Sequence, residues 1–341
     1  MKRSLLATAV VLLAAAVPVA ATVPAVAAAS PQARTVRTVT VGSNPIDIAI
    51  SARNSRAYVL NDGSVSVLST VTNRELAEVG TGHHDQTAIG LGRNGTRAYI
   101  GTFDQAFLKV FNTATLKVTS RVRVGFGAAA ITTANTKAGQ FAYVALLSIK
   151  RVAIVRTSNN RRVKRVKLPA APQSANTTPN GKQVWIGSAT SPQVWVLSTA
   201  SQKVTRKISV PNSGPVTSTA FSPNGKQAWV YGFAGVSVIS VATGKLLAAV
   251  PILRIFPRDP APNSGSIALN NKGTFALIED STFPDTPQRG TIAVLNTRTL
   301  KLQSSIRVGT EPIGLAIDRR HTMTYVPNFQ DDTVSFFRTP K

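Results

Sequence analysis

From Arg37 to the C-terminus, short segments in which apolar and polar residues alternate recur along the chain, each closed by a turn-forming cluster. Val65 and Val67 alternate with Ser64 and Ser66, and Val194 and Val196 with Gln193 and Trp195. A period of two is that of a strand, and no segment beyond the N-terminus sustains helical periodicity. Aligned on their turns, the segments form seven blocks. Second strands are expected at 56–60, 97–101, 141–145, 183–187, 227–231, 275–279 and 323–327. Third strands are expected at 64–68, 106–111, 151–155, 193–197, 235–239, 291–295 and 333–337. First strands fall at 46–50, 87–91, 129–133, 173–177, 216–220, 265–269 and 313–317.

The turns carry the register. Asn94-Gly95, Asn180-Gly181 and Asn224-Gly225 stand between first and second strands, where both residues tolerate positive φ. Ser69-Thr70-Val71-Thr72, Asn112-Thr113-Ala114-Thr115 and Asn296-Thr297-Arg298-Thr299 stand between third and fourth strands. A block of roughly 42 residues with four short strands is the signature of a β-propeller. The fold class expected is therefore all-β, a seven-bladed propeller of four-stranded antiparallel blades. The last block stops after its third strand, while an orphan strand at 36–41 precedes the first block. The simplest resolution is that the N-terminal strand completes the last blade and removes an open edge. The third block lacks the Asn-Gly turn, and the sixth carries insertions at 251–264 and 280–290.

These turn and strand residues resemble the YVTN-type repeat, whose ideal form runs Ser-Pro-Asp-Gly, Ala-Tyr-Val-x-Asn, Val-x-Val-Ile-Asp-x-x-Thr. Ser222-Pro223-Asn224-Gly225 and Ala57-Tyr58-Val59-Leu60-Asn61 carry the likeness most plainly. The resemblance implies a propeller of the lactonase-like superfamily, often exported. It also implies a ligand site where first strands and top loops converge on the channel mouth.

Composition bounds the rest. Hydrophobic residues make up 43% and charged residues 16%, as befits a packed β protein, and aromatics are sparse at 6%. Residues 1–29 read as a secretory signal peptide, with Lys2 and Arg3 ahead of an apolar run and small residues before Ala27 or Ala29. The remaining 30–341 is expected to be one domain, secreted or held at the cell envelope, with no transmembrane segment, and monomeric. With no cysteine, disulfides, covalent haem and thiolate-bound metals are excluded.

The net charge of +25 falls to +23 without Lys2 and Arg3, which points to anionic partners such as wall polymers. Nucleic acid would be held only through its backbone, without sequence preference. The repeat frame places this charge. One face, the bottom, carries first-to-second and third-to-fourth turns. Its candidate polyanion-binding residues are Arg53, Arg56, Arg93, Arg97, Arg161, Arg162, Lys182, Lys226, Arg319 and Arg320. Fourth strands add Arg121, Arg123, Lys164, Arg165, Lys167, Arg206, Lys207 and Arg307. Polar turns that keep an exported protein soluble explain charge on both faces equally well, but not its sorting by sign.

The top face carries the acids. Candidate ligand-binding residues there are Asp47, Asp85, Arg254, Arg258, Asp259, Asp280, Asp285, Glu311, Asp331 and Asp332. The insertions of the sixth block fall on this side, where repeat arrays commonly bind. Asp280, Asp285, Asp331 and Asp332 form an oxygen-rich set for which calcium is the natural cation, or else they cap turns and stay solvated. No other cofactor is expected, and no histidine metal site, because His83 and His84 diverge on an extended chain and His321 lies on the other face. Gly90-Leu91-Gly92-Arg93-Asn94-Gly95 matches a dinucleotide fingerprint but is followed by a strand, so that reading fails. Trp185, Trp195 and Trp229 read as packing between blades. The function expected is an exported, non-enzymatic binding or scaffold propeller. A lactonase-like hydrolase at the top mouth is the alternative, and no convincing acid–base pair supports it.

Overall fold

The computed structural model describes residues 35–51, 53–82, 84–92, 94–211, 213–256, 265–279 and 289–341. The leader, Arg93, Arg258, Asp259, Asp280 and Asp285 lie outside the described residues. Seven four-stranded antiparallel sheets follow one another along the chain. Blade 1 holds β2 (Asp47–Ser51), β3 (Arg56–Leu60), β4 (Ser64–Ser69) and β5 (Arg74–Gly80). Blade 2 holds β6 (Gln86–Leu91), β7 (Arg97–Thr102), β8 (Phe107–Asn112) and β9 (Lys117–Arg123). Blade 3 holds β10 (Ala128–Thr136), β11 (Gly139–Leu146), β12 (Arg151–Arg156) and β13 (Arg161–Lys167). Blade 4 holds β14 (Pro172–Thr177), β15 (Gln183–Ser188), β16 (Gln193–Ser198) and β17 (Lys203–Ser209). Blade 5 holds β18 (Val216–Phe221), β19 (Gln227–Gly232), β20 (Gly235–Ser240) and β21 (Leu246–Pro251), followed by a short helix, Ile252–Ile255. Blade 6 holds β22 (Ile267–Leu269), β23 (Phe275–Glu279), β24 (Arg289–Asn296) and β25 (Leu302–Thr310). Blade 7 holds β26 (Ala316–Asp318), β27 (Met323–Asn328) and β28 (Thr333–Arg338), and β1 (Arg37–Thr40) pairs with β28 as its fourth strand. Among the described residues no helix is long and apolar enough to cross a membrane.

The core is a ring of seven clusters, each shared by two consecutive blades. One register position of the second strand supplies a large side chain to each: Tyr58, Tyr99, Tyr143, Trp185, Trp229, Leu277 and Tyr325, all almost fully buried. Tyr58, for example, packs with Ile89, Ala98, Ile100 and Phe111 of blade 2. Trp185 meets Phe221 of blade 5 edge-on, with ring centroids 5.5 Å apart. Large aromatics at this position fill the gap that opens between sheets fanned about an axis, so each contributes roughly 2–3 kcal/mol or more of burial. The tryptophans are thus packing residues, as their strand positions implied.

Hydrogen bonds explain the turn motif. The Asn112 carboxamide accepts the N–H groups of Ala114 (2.9 Å) and Thr115 (3.1 Å), and Asn296 does the same for Arg298 and Thr299. The following threonine ties this turn to the first-to-second turn of its own blade: Thr113 donates to the Gly95 carbonyl, Thr199 to Gly181 and Thr297 to Gly273. Six blades also share a bulge between third and fourth strands, which increases the local twist.

The first strands of blades 6 and 7 are shorter than expected, three residues each. A side chain replaces the ladder there. One carboxylate oxygen of Glu279 accepts the N–H groups of both Ser266 and Gly314, at 3.0 Å each. Gly314 itself has a positive φ of 78° and breaks the strand.

The closing seam between blades 7 and 1 is clamped at both ends. On top, Val41 N–H reaches the Asp332 carbonyl (2.9 Å), and Asn44 N–H reaches the Asp332 carboxylate (2.7 Å). At the bottom, Tyr325 donates to Asn73 (2.5 Å), and Thr70 contacts His321 Nδ1 (3.3 Å). Blade 1 lacks a glycine in its first-to-second turn, and Thr70 bonds across the seam instead.

Candidate functional site

The top mouth of the channel carries two carboxylates held by backbone rather than left free. Asp47, at the start of β2, accepts Ile48 N–H (2.8 Å) and Ile89 N–H of blade 2 (2.9 Å) on separate oxygens. Burial nonetheless dominates and raises its pKa to about 6, with those two bonds pulling the other way. Glu279 is fully buried and joins blade 6 to blade 7 through the bonds described above. Gly314 connects the two: a Cβ placed on it would lie 3.8 Å from Asp47 Oδ1. Both carboxylates are therefore rivets between neighbouring blades, Asp47 between blades 1 and 2 and Glu279 between blades 6 and 7.

The other top-face candidates disperse. Asp331 accepts Thr310 N–H at 2.7 Å, and Asp332 is taken up by Asn44. Two of the four acids proposed for a cation therefore cap loops, and the other two lie outside the described residues. Glu311 is buried in the loop before blade 7, with a positive φ of 49°. Arg254 is exposed on the short helix after β21. Asp85 is exposed and lines an open groove of about 690 Å3 with Asp62, Glu78 and His84. That groove lies over the outer part of blade 1, not over the channel, and His84 pairs there with Asp62 at 3.1 Å.

At the bottom, His321 Nδ1 lies 2.6 Å from Asp318 Oδ2. Asp318 is buried, which by itself would raise its pKa. Hydrogen bonds from His321, Thr70 and the Arg320 N–H outweigh burial and hold it below the usual carboxylate range. Thr70 and Asp318 both approach the same ring nitrogen, so the trio is a clamp and not a nucleophile–base–acid relay. A second open cavity, of about 300 Å3, is lined by Arg53, Asn94, Asn135, Thr136, Gly139 and Gln140 near the bottom turns of blades 1 to 3.

The bases behave differently from the acids. Between described residues the ion pairs are His84–Asp62 and His321–Asp318, and neither uses lysine or arginine. Several guanidiniums instead reach carbonyls of the next blade. Arg56 donates to Thr113 (3.3 Å), Arg97 to Thr157, and Arg206 to Val241 and Ala242. Arg162 donates to the Arg123 carbonyl (2.8 Å) and Arg165 to the Val124 carbonyl (2.9 Å). Arg53, Arg161, Lys182, Lys226, Arg319 and Arg320 are exposed on bottom turns or the strand starts beside them.

Two buried charges escaped the sequence reading, although the aligned repeat held their signal. Glu279 occupies the register of Leu60, Gly101, Ala145, Gly187, Tyr231 and Pro327. Lys109 occupies that of Ser66, Ala153, Trp195, Ser237, Ala293 and Ser335. Its ammonium is buried and donates to the Thr81 carbonyl (3.2 Å) in the loop leading into its blade. Burial, then the charge of Arg121, lowers its pKa to about 8 against the pull of Asp104. Ser66 and Ser237 make the matching contacts to Gly42 and Pro211, so the position clips the incoming loop to the blade.

No family model matches the chain, and no curated protein matches it either. Among solved structures the chain is similar to one titled Kuenenia stuttgartiensis Hydrazine Synthase, with a TM-score of 0.74 and 17% identity over 87% of this chain and 96% of that one. In all, 1761 solved chains match, so the likeness establishes the propeller fold and leaves activity open.

Proposed function

We propose that this chain is an exported, YVTN-like binding propeller that holds an anionic cell-envelope polymer on its bottom face and rim. The observation that carries the reading is the unequal use of the two charges. Asp47, Glu279, Asp318, Asp331 and Asp332 are committed to backbone N–H groups or a histidine inside the fold. Arginines and lysines are exposed on the turns and outer strands, outside the ion pairs between described residues. A surface so arranged attracts polyanions and releases them as salt rises. Retention on isolated cell envelope at low and high salt tests it. Wild-type protein should bind at low salt and elute at high salt. A variant carrying Arg53→Glu, Arg161→Glu, Lys182→Glu and Lys226→Glu should bind several-fold less. Equal retention of both proteins, or retention indifferent to salt, refutes the reading. The hydrolase alternative would draw its acids from Asp47, Asp85, Glu311 and the loops of the sixth block. Asp47 already accepts two backbone N–H groups, Asp85 lies in the groove on blade 1 away from the channel, and Glu311 is buried in the loop before blade 7. Asp259, Asp280 and Asp285 lie outside the described residues, so no observation favours it.

A further inference from the structure

The densest unneutralised charge lies on the flank between blades 2 and 3. Strand β13 reads Arg161-Arg162-Val163-Lys164-Arg165-Val166-Lys167. Its register decides which way these side chains face. Arg165 lies opposite Ala153, Arg162 opposite Val155, and Lys167 opposite Arg151. Ala153 and Val155 pack on Val122 and Val124 of blade 2, whereas Val166 packs towards blade 4. Arg151, Arg162, Arg165 and Lys167 therefore share the side that faces blade 2, where β9 ends at Arg123.

Two of these guanidiniums are held in place. Arg162 gives one N–H to the Arg123 carbonyl and Arg165 gives its Nε–H to the Val124 carbonyl, both on the neighbouring blade. Each such bond uses one of five donors, and the rest of the fork remains for a ligand. No carboxylate joins them: neither ion pair between described residues involves this group. Like charges crowd instead. Desolvation, then the charges of Arg162, Arg151 and Arg123, lowers the pKa of Arg165. Guanidiniums fixed by carbonyls and grouped on one face of blade 3 are arranged for an anion with several acceptor oxygens, which would bind them in a fork-to-oxygen geometry.

We infer that the flank between blades 2 and 3, built from Arg151, Arg162, Arg165 and Lys167, is a phosphate-binding cleft for a base-free polymer linked by phosphodiesters. The inference rests on the polyanion-binding reading above and gives it a location and a ligand class. A polymer without bases is favoured over nucleic acid because the strands that form the cleft present guanidinium, ammonium and aliphatic groups. The exposed aromatic residue on β8, Phe107, is in register with Lys109 on the side facing blade 1, and Phe126, exposed in the loop joining blades 2 and 3, offers a single ring and no series on which successive bases could stack. Single-stranded nucleic acid draws much of its affinity from such stacking.

Titration calorimetry with poly(glycerol phosphate) at two salt concentrations provides the test, with an oligonucleotide of equal charge as the second ligand. The cleft variant is Arg151→Gln/Arg162→Gln/Arg165→Gln. A charge-matched variant, Lys203→Gln/Lys245→Gln/Lys301→Gln, removes three exposed bases from other blades. The cleft variant should lose at least tenfold in affinity for the polyol polymer, and its log–log salt slope should fall by about 2–3, one for each lost phosphate contact. The charge-matched variant should lose less than threefold. Because Arg162 and Arg165 also join blades, Arg151→Gln/Lys167→Gln, which removes neither carbonyl bond, serves if the triple variant does not fold, and should lose about fivefold. Equal losses in cleft and charge-matched variants overturn the cleft while leaving the polyanion reading standing. Failure of wild-type protein to bind the polymer at low salt overturns both. Tighter binding of the oligonucleotide, lost in the cleft variant, overturns the base-free ligand class.

Discussion

Removing the closing strand should destabilise the whole ring. Protein beginning at Gly42 would lack β1, whose residues pair as Arg37 with Phe336, Thr38 with Ser335, Val39 with Val334, and Thr40 with Thr333. It would also lose the bond from Val41 N–H to the Asp332 carbonyl, and two valines from the cluster shared by blades 7 and 1. The backbone bonds are worth about 1 kcal/mol each net, and ordering the strand costs about as much per residue, so these two nearly cancel. Burial of the valines remains: Val41 is almost fully buried and Val39 partly so. At roughly 1.5–3 kcal/mol for a fully buried valine, the pair contributes about 4 kcal/mol. An unfolding entropy of about 2.1 cal/mol/K per residue over about 300 residues converts this to a Tm loss of about 6 °C. Thermal melts of protein beginning at Thr35 and at Gly42 make the comparison. A peptide spanning 35–42, added in excess, should restore most of the difference, because it offers the same edge its own strand back. A difference under 1 °C, or no effect of the peptide, would show that β1 does not hold the ring closed.

Two further predictions concern the top seams and the glycines. Ionised Asp47 is disfavoured in the fold, so its effect is opposite to that of a salt-bridged carboxylate: stability is greatest below about pH 4 and declines as pH rises towards 6. The decline attributable to this group is at most about 3 kcal/mol, and Asp47→Asn should flatten that part of the Tm-versus-pH curve; an unchanged slope between pH 4 and 6 would sink the assignment. Gly309→Ala should cost about 1–3 kcal/mol, because its new Cβ would lie 2.4 Å from Asn328 Cγ and 2.5 Å from Asp331 Oδ2. Gly80→Ala, which meets nothing within 4 Å, should be neutral or slightly stabilising, and urea midpoints of the two variants decide whether crowding rather than glycine loss matters.

The alternation of Val65 and Val67 with serine, and the Asn-Gly and Asn-Thr turns, made the blades readable because each is a local signal that recurs at the same place in several blocks. The closing strand was readable by elimination, since a third strand without a fourth leaves an edge. What local patterns could not show were interactions made between blades. Ser266 and Gly314 belong to first strands by pattern, yet a carboxylate from β23 takes their N–H groups and shortens both strands. Arg56 and Arg97 look like free turn bases, but their guanidiniums reach the next blade. Asp331 and Asp332 look like cation ligands until Thr310 and Asn44 are found against them. The grouping of Arg151 with Arg162 and Arg165 depends on strand register and on which side of the sheet packs against blade 2.

These interblade contacts also bear on why so basic a chain tolerates its charge. A guanidinium that donates to a neighbouring carbonyl stabilises a seam without a carboxylate, because a backbone acceptor at the end of a strand would otherwise bond only water. Arginine can therefore accumulate along the seams, as Arg56, Arg97, Arg162, Arg165 and Arg206 do, while the few acids serve backbone N–H groups elsewhere. The fold gains from each bond, but the positive charge is not cancelled, and repulsion grows wherever several such residues share a cleft. Between blades 2 and 3 desolvation, and after it that repulsion, lower the pKa of Arg165. An anion bound there would relieve it, so stability and ligand binding should be linked at that seam, with added phosphate raising the Tm of wild-type protein more than that of the Arg151→Gln/Lys167→Gln variant.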